Sequence, residues 1–157
     1  MENRLEILRK EIDKLIMNSE QSKVCMYSSH IYGTAKFCTL LALKRGMDVE
    51  ISTICGMLHD VYYLISGSGD EHATKGAEYA EELLQSMDTY SEEEIKIITA
   101  AISRHSNKRM IDEKYDELLK DADVMDHCFY NNDFPIADWE IERYNNLLME
   151  LGINQGE

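Results

Sequence analysis

The chain carries one proline, Pro135, and eight glycines in 157 residues, so little interrupts a helix once it has started. Apolar residues recur at intervals of three and four through nearly every long segment, and strand-like alternation is absent. Together these facts predict an all-α fold. A first helix is expected over about 2–18. A second, over about 21–45, has Val24, Tyr27, Ile31, Ala35, Cys38 and Ala42 on one stripe and Gly46 as its stop. Asp48 suits the N-cap of a third, striped by Ile51, Ile54, Cys55, Leu58 and Tyr62 and running out at the loop SGSGD, 66–70. The fourth carries Ala73, Ala77, Ala80, Leu84 and Met87, small residues that predict close packing against a neighbour. Ser91 and Glu94 form a capping box ahead of Ile95, Ile98 and Ile102. Two more helices are expected, near 113–130 with Leu118, Ala122, Met125 and Phe129, and over about 136–151.

Length predicts one domain, 1–157, and the 44% apolar and 29% charged fractions are those of a globular protein. No apolar run approaches a membrane span, and the N-terminus reads as an amphipathic helix rather than a signal peptide, so a cytoplasmic protein without membrane contact is expected. The net charge of −14 argues against general affinity for the nucleic-acid backbone. It leaves room for a small phosphorylated substrate, whose charge a metal and a few local cations can neutralise. Cys25, Cys38, Cys55 and Cys128 are scattered, with no C-x-x-C pair, and read as reduced, mostly buried thiols.

Four of the five histidines fall at inward positions. His30 lies at the edge of the second stripe, one turn from Tyr27 and Thr34. His59 comes eight residues after Ile51, on the buried side, with Asp60 about 100° further round. His72 begins the fourth helix, and His105 extends the series Ile95, Ile98, Ile102. A lone histidine at such an edge is ordinarily a hydrogen-bonded core residue. Several facing one another are unfavourable unless a cation lies among them, and histidine with carboxylate is the ligand set of zinc, iron and manganese. The segment KDADVMDH, 120–127, offers Asp121, Asp123 and Asp126 as the completing acid. A helical wheel does not choose: Asp126 lies nearest the apolar arc and the other two flank it. His127 projects away from that arc and reads as a surface residue.

In this order the residues resemble the HD-domain superfamily of metal-dependent phosphohydrolases. His30, His59–Asp60, His72, His105 and Asp123 follow its H…HD…H…H…D pattern. GMLHD is similar to its ALLHD, HATKGAEYAEELL to its H…GA..A..LL, ITAAISRH to its I..AI..H, and KDADVMD to its DAD.LD. The likeness spans about residues 25–128. It implies an HD-domain helical bundle with a metal site in its core, where His30, His59, Asp60 and Asp123 bind a divalent transition metal: Mn, Fe, Co, Ni or Zn. It also implies Asp123 over its two neighbours. In members with the longer pattern, the positions of His72 and His105 hold a second metal, with Asp60 bridging, or bind the substrate phosphate; two ions are the preferred reading. Three departures stand out. Gly33 occupies a position where many relatives have arginine, no acid follows the HD pair closely enough to position a water, and there is no Gly-Tyr-Pro signature of cyclic-dinucleotide phosphodiesterases.

The resemblance thus implies hydrolysis of a phosphate ester of a nucleotide or related small metabolite, of phosphatase, nucleotidase or phosphodiesterase type. Asp60, His72 and His105 would be catalytic, with attack by a metal-activated water. Lys75, Arg104 and Lys108 neighbour the histidines and are candidate phosphate contacts, or simply exposed surface cations. Tyr62 and Tyr63 are candidate pocket walls or core residues. The alternatives are an HD-type di-iron oxygenase and a non-catalytic metal- or nucleotide-binding sensor domain. Iron content and oxygen consumption separate the first of these from phosphate release.

Overall fold

Most helix ends in this chain have a local chemical cause. The structure, a computed structural model, describes residues 3–131 and 133–153. Helix α1 (Arg4–Asn18) starts at Asn3, whose side-chain oxygen accepts from the Leu5 N–H, and buries Leu8, Ile12 and Ile16. After one 3-10 turn over Gln21–Lys23, α2 (Val24–Arg45) buries Tyr27, Ile31, Ala35, Cys38 and Ala42, the expected stripe. It stops at Gly46, whose φ of +63° is a left-handed conformation that suits glycine. Asp48 caps α3 (Val49–Leu58) by accepting from Ile51 N–H at 2.9 Å. Then come α4 (Val61–Ser66), α5 (His72–Met87), α6 (Glu92–Arg104), α7 (Lys114–Tyr130) and α8 (Ile141–Leu151). The Ser91–Glu94 capping box forms, and a second at Glu113 and Asp116 opens α7. The fold is all-α; among the described residues there is no strand, and no helix is long and apolar enough to cross a membrane.

The short helix α3 sits at the centre. Ile51, Ser52 and every residue from Ile54 to Leu58 are buried, so no face of its second half meets solvent. Around it pack α2, α6 and α7, with α1 against α2, α3 and α4, and α5 lying between α4 and α6. Glycines lie at two of these helix contacts. A Cβ on Gly56 would stand 2.6 Å from Ala35 Cα, so α2 and α3 touch backbone to backbone. A Cβ on Gly76 would stand 3.6 Å from the His59 carbonyl, which brings α5 against the end of α3. Cys38, Cys55 and Cys128 are buried and Cys25 exposed, all as free thiols.

Two boundaries differ from the periodicity. The third helix was expected to run through to the SGSGD loop, but it breaks at His59–Asp60, where Asp60 has φ −111° and ψ 18°. The His59 ring donates Nδ1–H to the Gly56 carbonyl at 2.8 Å, competing for the acceptor that a further helical turn would use. The last helix begins at Ile141, not 136. Residues 135–137 are irregular and 138–140 form a turn ahead of it.

Replacing Gly56 by alanine should force α2 and α3 apart. The overpacking is expected to cost about 1–3 kcal/mol despite alanine's better helix propensity, read as a lower urea midpoint. An unchanged or raised midpoint would contradict the close approach.

Candidate metal centre

The helix contacts around α3 carry four histidines and two aspartates to one place. His30 comes from the middle of α2, His59 and Asp60 from the α3–α4 break, His72 from the first turn of α5, His105 from the end of α6 and Asp123 from the inner face of α7. The Nε2 atoms of His30 and His59 are 3.1 Å apart, and those of His72 and His105 are 3.3 Å apart. Asp60 lies between the pairs. Its Oδ2 is 3.2 Å from His30 Nε2 and 3.5 Å from His59 Nε2; its Oδ1 is 3.4 Å from His105 Nε2 and 3.6 Å from His72 Nε2. Asp123 closes one side, with Oδ1 3.5 Å from His30 Nε2 and 3.7 Å from His59 Nε2.

Each imidazole is held by its other nitrogen. Nδ1–H of His59 donates to Gly56 O at 2.8 Å, that of His72 to Gly69 O at 2.7 Å and that of His105 to Ile102 O at 2.7 Å, always the carbonyl three residues back. His30 instead donates Nδ1–H to Asp126 Oδ2 at 2.7 Å. With Nδ1 carrying the proton, neutral rings present bare Nε2 lone pairs to one another, which repel unless a cation lies between them. The carboxylates give the same answer. Among the described residues the buried side-chain oxygens without a hydrogen-bond partner are Thr34 Oγ1, Asp60 Oδ1 and Asp123 Oδ1, and two of these three belong to the cluster. In His30–His59–Asp60, and again in Asp60–His72–His105, the ligand atoms lie within 4.8 Å of one another. This donor set, nitrogen with carboxylate oxygen, fits a divalent transition metal.

Burial pushes the fully enclosed His59 imidazole down to about 4, the neighbouring carboxylates offsetting only part of the effect. His30 goes the other way. Burial opposes its charge, but the hydrogen bonds to Asp126 and Asp60 prevail and raise it to about 10. Asp60 and Asp123 both lie well below the usual carboxylate range: burial works against their ionisation, and it is outweighed at Asp60 by His59, His105 and His30 and at Asp123 by Lys108 and the histidines. In the absence of an ion, the same carboxylates favour a proton on His30.

The aspartates of the α7 segment have three different jobs. Asp123 faces the cluster, Asp121 pairs with Arg45 at 2.7 Å and Arg143 at 2.9 Å, and Asp126 holds His30. His127, expected at the surface, is half exposed yet turned to the site. Its ring stacks on His30 at 5.2 Å, its Nε2 is 3.5 Å from Asp123 Oδ1, and Glu140 accepts from its Nδ1 at 2.9 Å and raises its pKa. The signal was its i,i+4 spacing from Asp123, which places both on one face. Lys108 is buried rather than an exposed cation, donating to His105 O at 2.8 Å and to Asp123 Oδ2, so that only Oδ1 of Asp123 is left for the cluster. A cavity of about 190 Å³ covers the centre, where Ser106, Lys108, Trp139 and Glu140 join Asp60, His72, His105, Asp123 and His127. Lys75 and Arg104 are not among its walls: Lys75 pairs with Glu71 over the Tyr62 ring, and Arg104 pairs with Asp116. Tyr63 packs edge-on against Tyr27.

Comparison with known proteins agrees with this picture. A family model for the HD domain matches residues 27–129. A comparison with curated proteins gives no match. A crystal structure of a predicted HD superfamily hydrolase from an uncultured Thermotogales bacterium superposes with a TM-score of 0.64 at 21% identity, covering 96% of this chain and 95% of that one. The likeness is one of fold.

Binding of a divalent ion must expel the His30 proton, whereas His59 is already neutral at pH 7. Affinity should therefore rise with pH, about tenfold per unit near neutrality for one proton released. Calorimetric titration in buffers of differing ionisation enthalpy checks this, and uptake without proton release would contradict it.

Proposed function

The chain belongs to the HD-domain family, and on that premise we propose that it is a metal-dependent phosphohydrolase acting on a phosphate ester of a nucleotide or related small metabolite. The observation that carries this reading is the Asp60 carboxylate, each oxygen turned to its own pair of imidazole nitrogens. His30, His59, Asp60 and Asp123 would hold one ion, and Asp60, His72 and His105 would hold a second. Bound there, divalent ions lower the pKa of a water and polarise a phosphoryl oxygen.

The chain's own residues supply positioning. The cavity over the cluster has the size of a phosphate group and its surroundings, not of a whole nucleotide, so the phosphoryl end would enter it. His127, whose imidazolium form the hydrogen bond to Glu140 favours, turns Nε2 to the same rim, where its protonated form would donate to a phosphoryl oxygen. Lys108 is already committed to Asp123 and His105, so it steadies the site in preference to binding substrate. Beside His30 and His127 opens a larger cleft of about 700 Å³, walled by Met26, Phe37, Phe129 and Tyr130, with room for the organic part of a small ester. The net charge of −14 would repel an anionic substrate elsewhere on the surface, which leaves neutralisation to the cations gathered at this site.

Phosphate release should be measured across nucleotides and sugar and aryl phosphates with manganese, cobalt, nickel, zinc and magnesium. Asp60→Ala is expected to lower turnover by at least about 100-fold, while Lys44→Ala, on an exposed turn of α2, stays within about twofold. Activity that survives Asp60→Ala or full chelation overturns the reading. Oxygen consumption by an iron-loaded protein, with no phosphate released from any ester, would identify the di-iron oxygenase instead.

A further inference from the structure

His30 differs from the other histidines of the centre in two ways. Its Nδ1–H goes to a carboxylate rather than to a carbonyl three residues back, and it lies mid-helix, where those carbonyls are used by the helix itself. Its acceptor must therefore come from another element, and Asp126 of α7 supplies it at 2.7 Å. The room for that carboxylate comes from Gly33, one turn along α2 from His30. A Cβ on Gly33 would overlap Asp126 Oδ1 and stand 2.9 Å from its Cγ. Any other residue at 33 has to displace the group that fixes His30.

We propose that Gly33 and Asp126 form a coupled pair that sets the orientation of the His30 imidazole, Asp126 as the positioning residue and Gly33 as the space it requires. The pair thereby sets the affinity of the centre for a divalent cation. This rests on the metal reading above. It also gives the departure at Gly33 a physical reason, because a bulky side chain at that position and a carboxylate on His30 exclude each other. A carboxylate bound to the far nitrogen of a ligating histidine fixes its tautomer and raises its basicity, and losing such a partner typically lowers metal affinity by about 10–100-fold.

The test is cobalt(II) and zinc(II) affinity of the full chain by chelator competition, together with the visible spectrum of the cobalt form and a thermal melt. Asp126→Ala and Gly33→Ala should each weaken binding by about 10–100-fold and shift the cobalt bands. Asp126→Asn, whose amide oxygen can still accept from Nδ1–H, should recover most of the loss. The double variant should be little weaker than either single one, because both remove the same interaction. Helix propensity alone favours alanine at 33, so a purely structural role predicts a Gly33→Ala protein that melts no lower and binds as well as the parent. Parent-like affinity and spectrum in Asp126→Ala, or additive losses in the double variant, would overturn the proposal while leaving the metal reading intact. Absence of cobalt and zinc binding by the parent overturns both. Should Gly33→Ala fail to fold, the contrast between Asp126→Ala and Asp126→Asn decides.

Discussion

Imidazole nitrogens facing one another across little more than 3 Å are the condition this molecule is organised around. Left alone, two such pairs with two ionised carboxylates would be among the least favourable contents a protein core can have. The structure keeps them there by giving each ring a fixed donor bond on its outer nitrogen, three to carbonyls and one to Asp126. Those anchors leave the inner nitrogens no freedom to turn away. A positive charge is then required in the middle, and the helices around α3 exist in the arrangement that holds the rings to it.

The positions of the rings follow from where acceptors are free. His59 and His105 stand at the ends of α3 and α6 and His72 at the start of α5, and each uses a carbonyl close by in its own chain segment. His30, inside α2, has no such carbonyl to spare and depends on α7. The same reasoning explains the break after α3. A continuous helix would have carried Asp60 on a regular turn, whereas the observed backbone lets one carboxylate reach both histidine pairs.

Much of this was legible in the sequence because the ligands share positions with the apolar stripes. His59 follows Ile51 and Leu58, and His105 follows Ile98 and Ile102, so the periodicity that betrays a helix also points the histidine inward. What stayed illegible depends on distant partners. The choice among Asp121, Asp123 and Asp126 turns on Arg45, Arg143, His30 and Gly33, none of which a wheel of α7 contains. His127 lies off the apolar arc of α7, and its turn toward the site depends on Glu140, in a turn expected to be helix. Lys108 looks like any surface cation until Asp123 and the His105 carbonyl enclose it.

The enclosure of α3 has an evolutionary side. Its residues touch neighbours on every face, so any change there must be matched by changes in several helices at once. Two residues of the cavity wall obey no such constraint. Ser106 and Trp139 project from connecting segments, are exposed, and hold up no part of the core. Substitutions in those two loops would reshape the mouth of the cavity while leaving the histidine–carboxylate cluster beneath it in place.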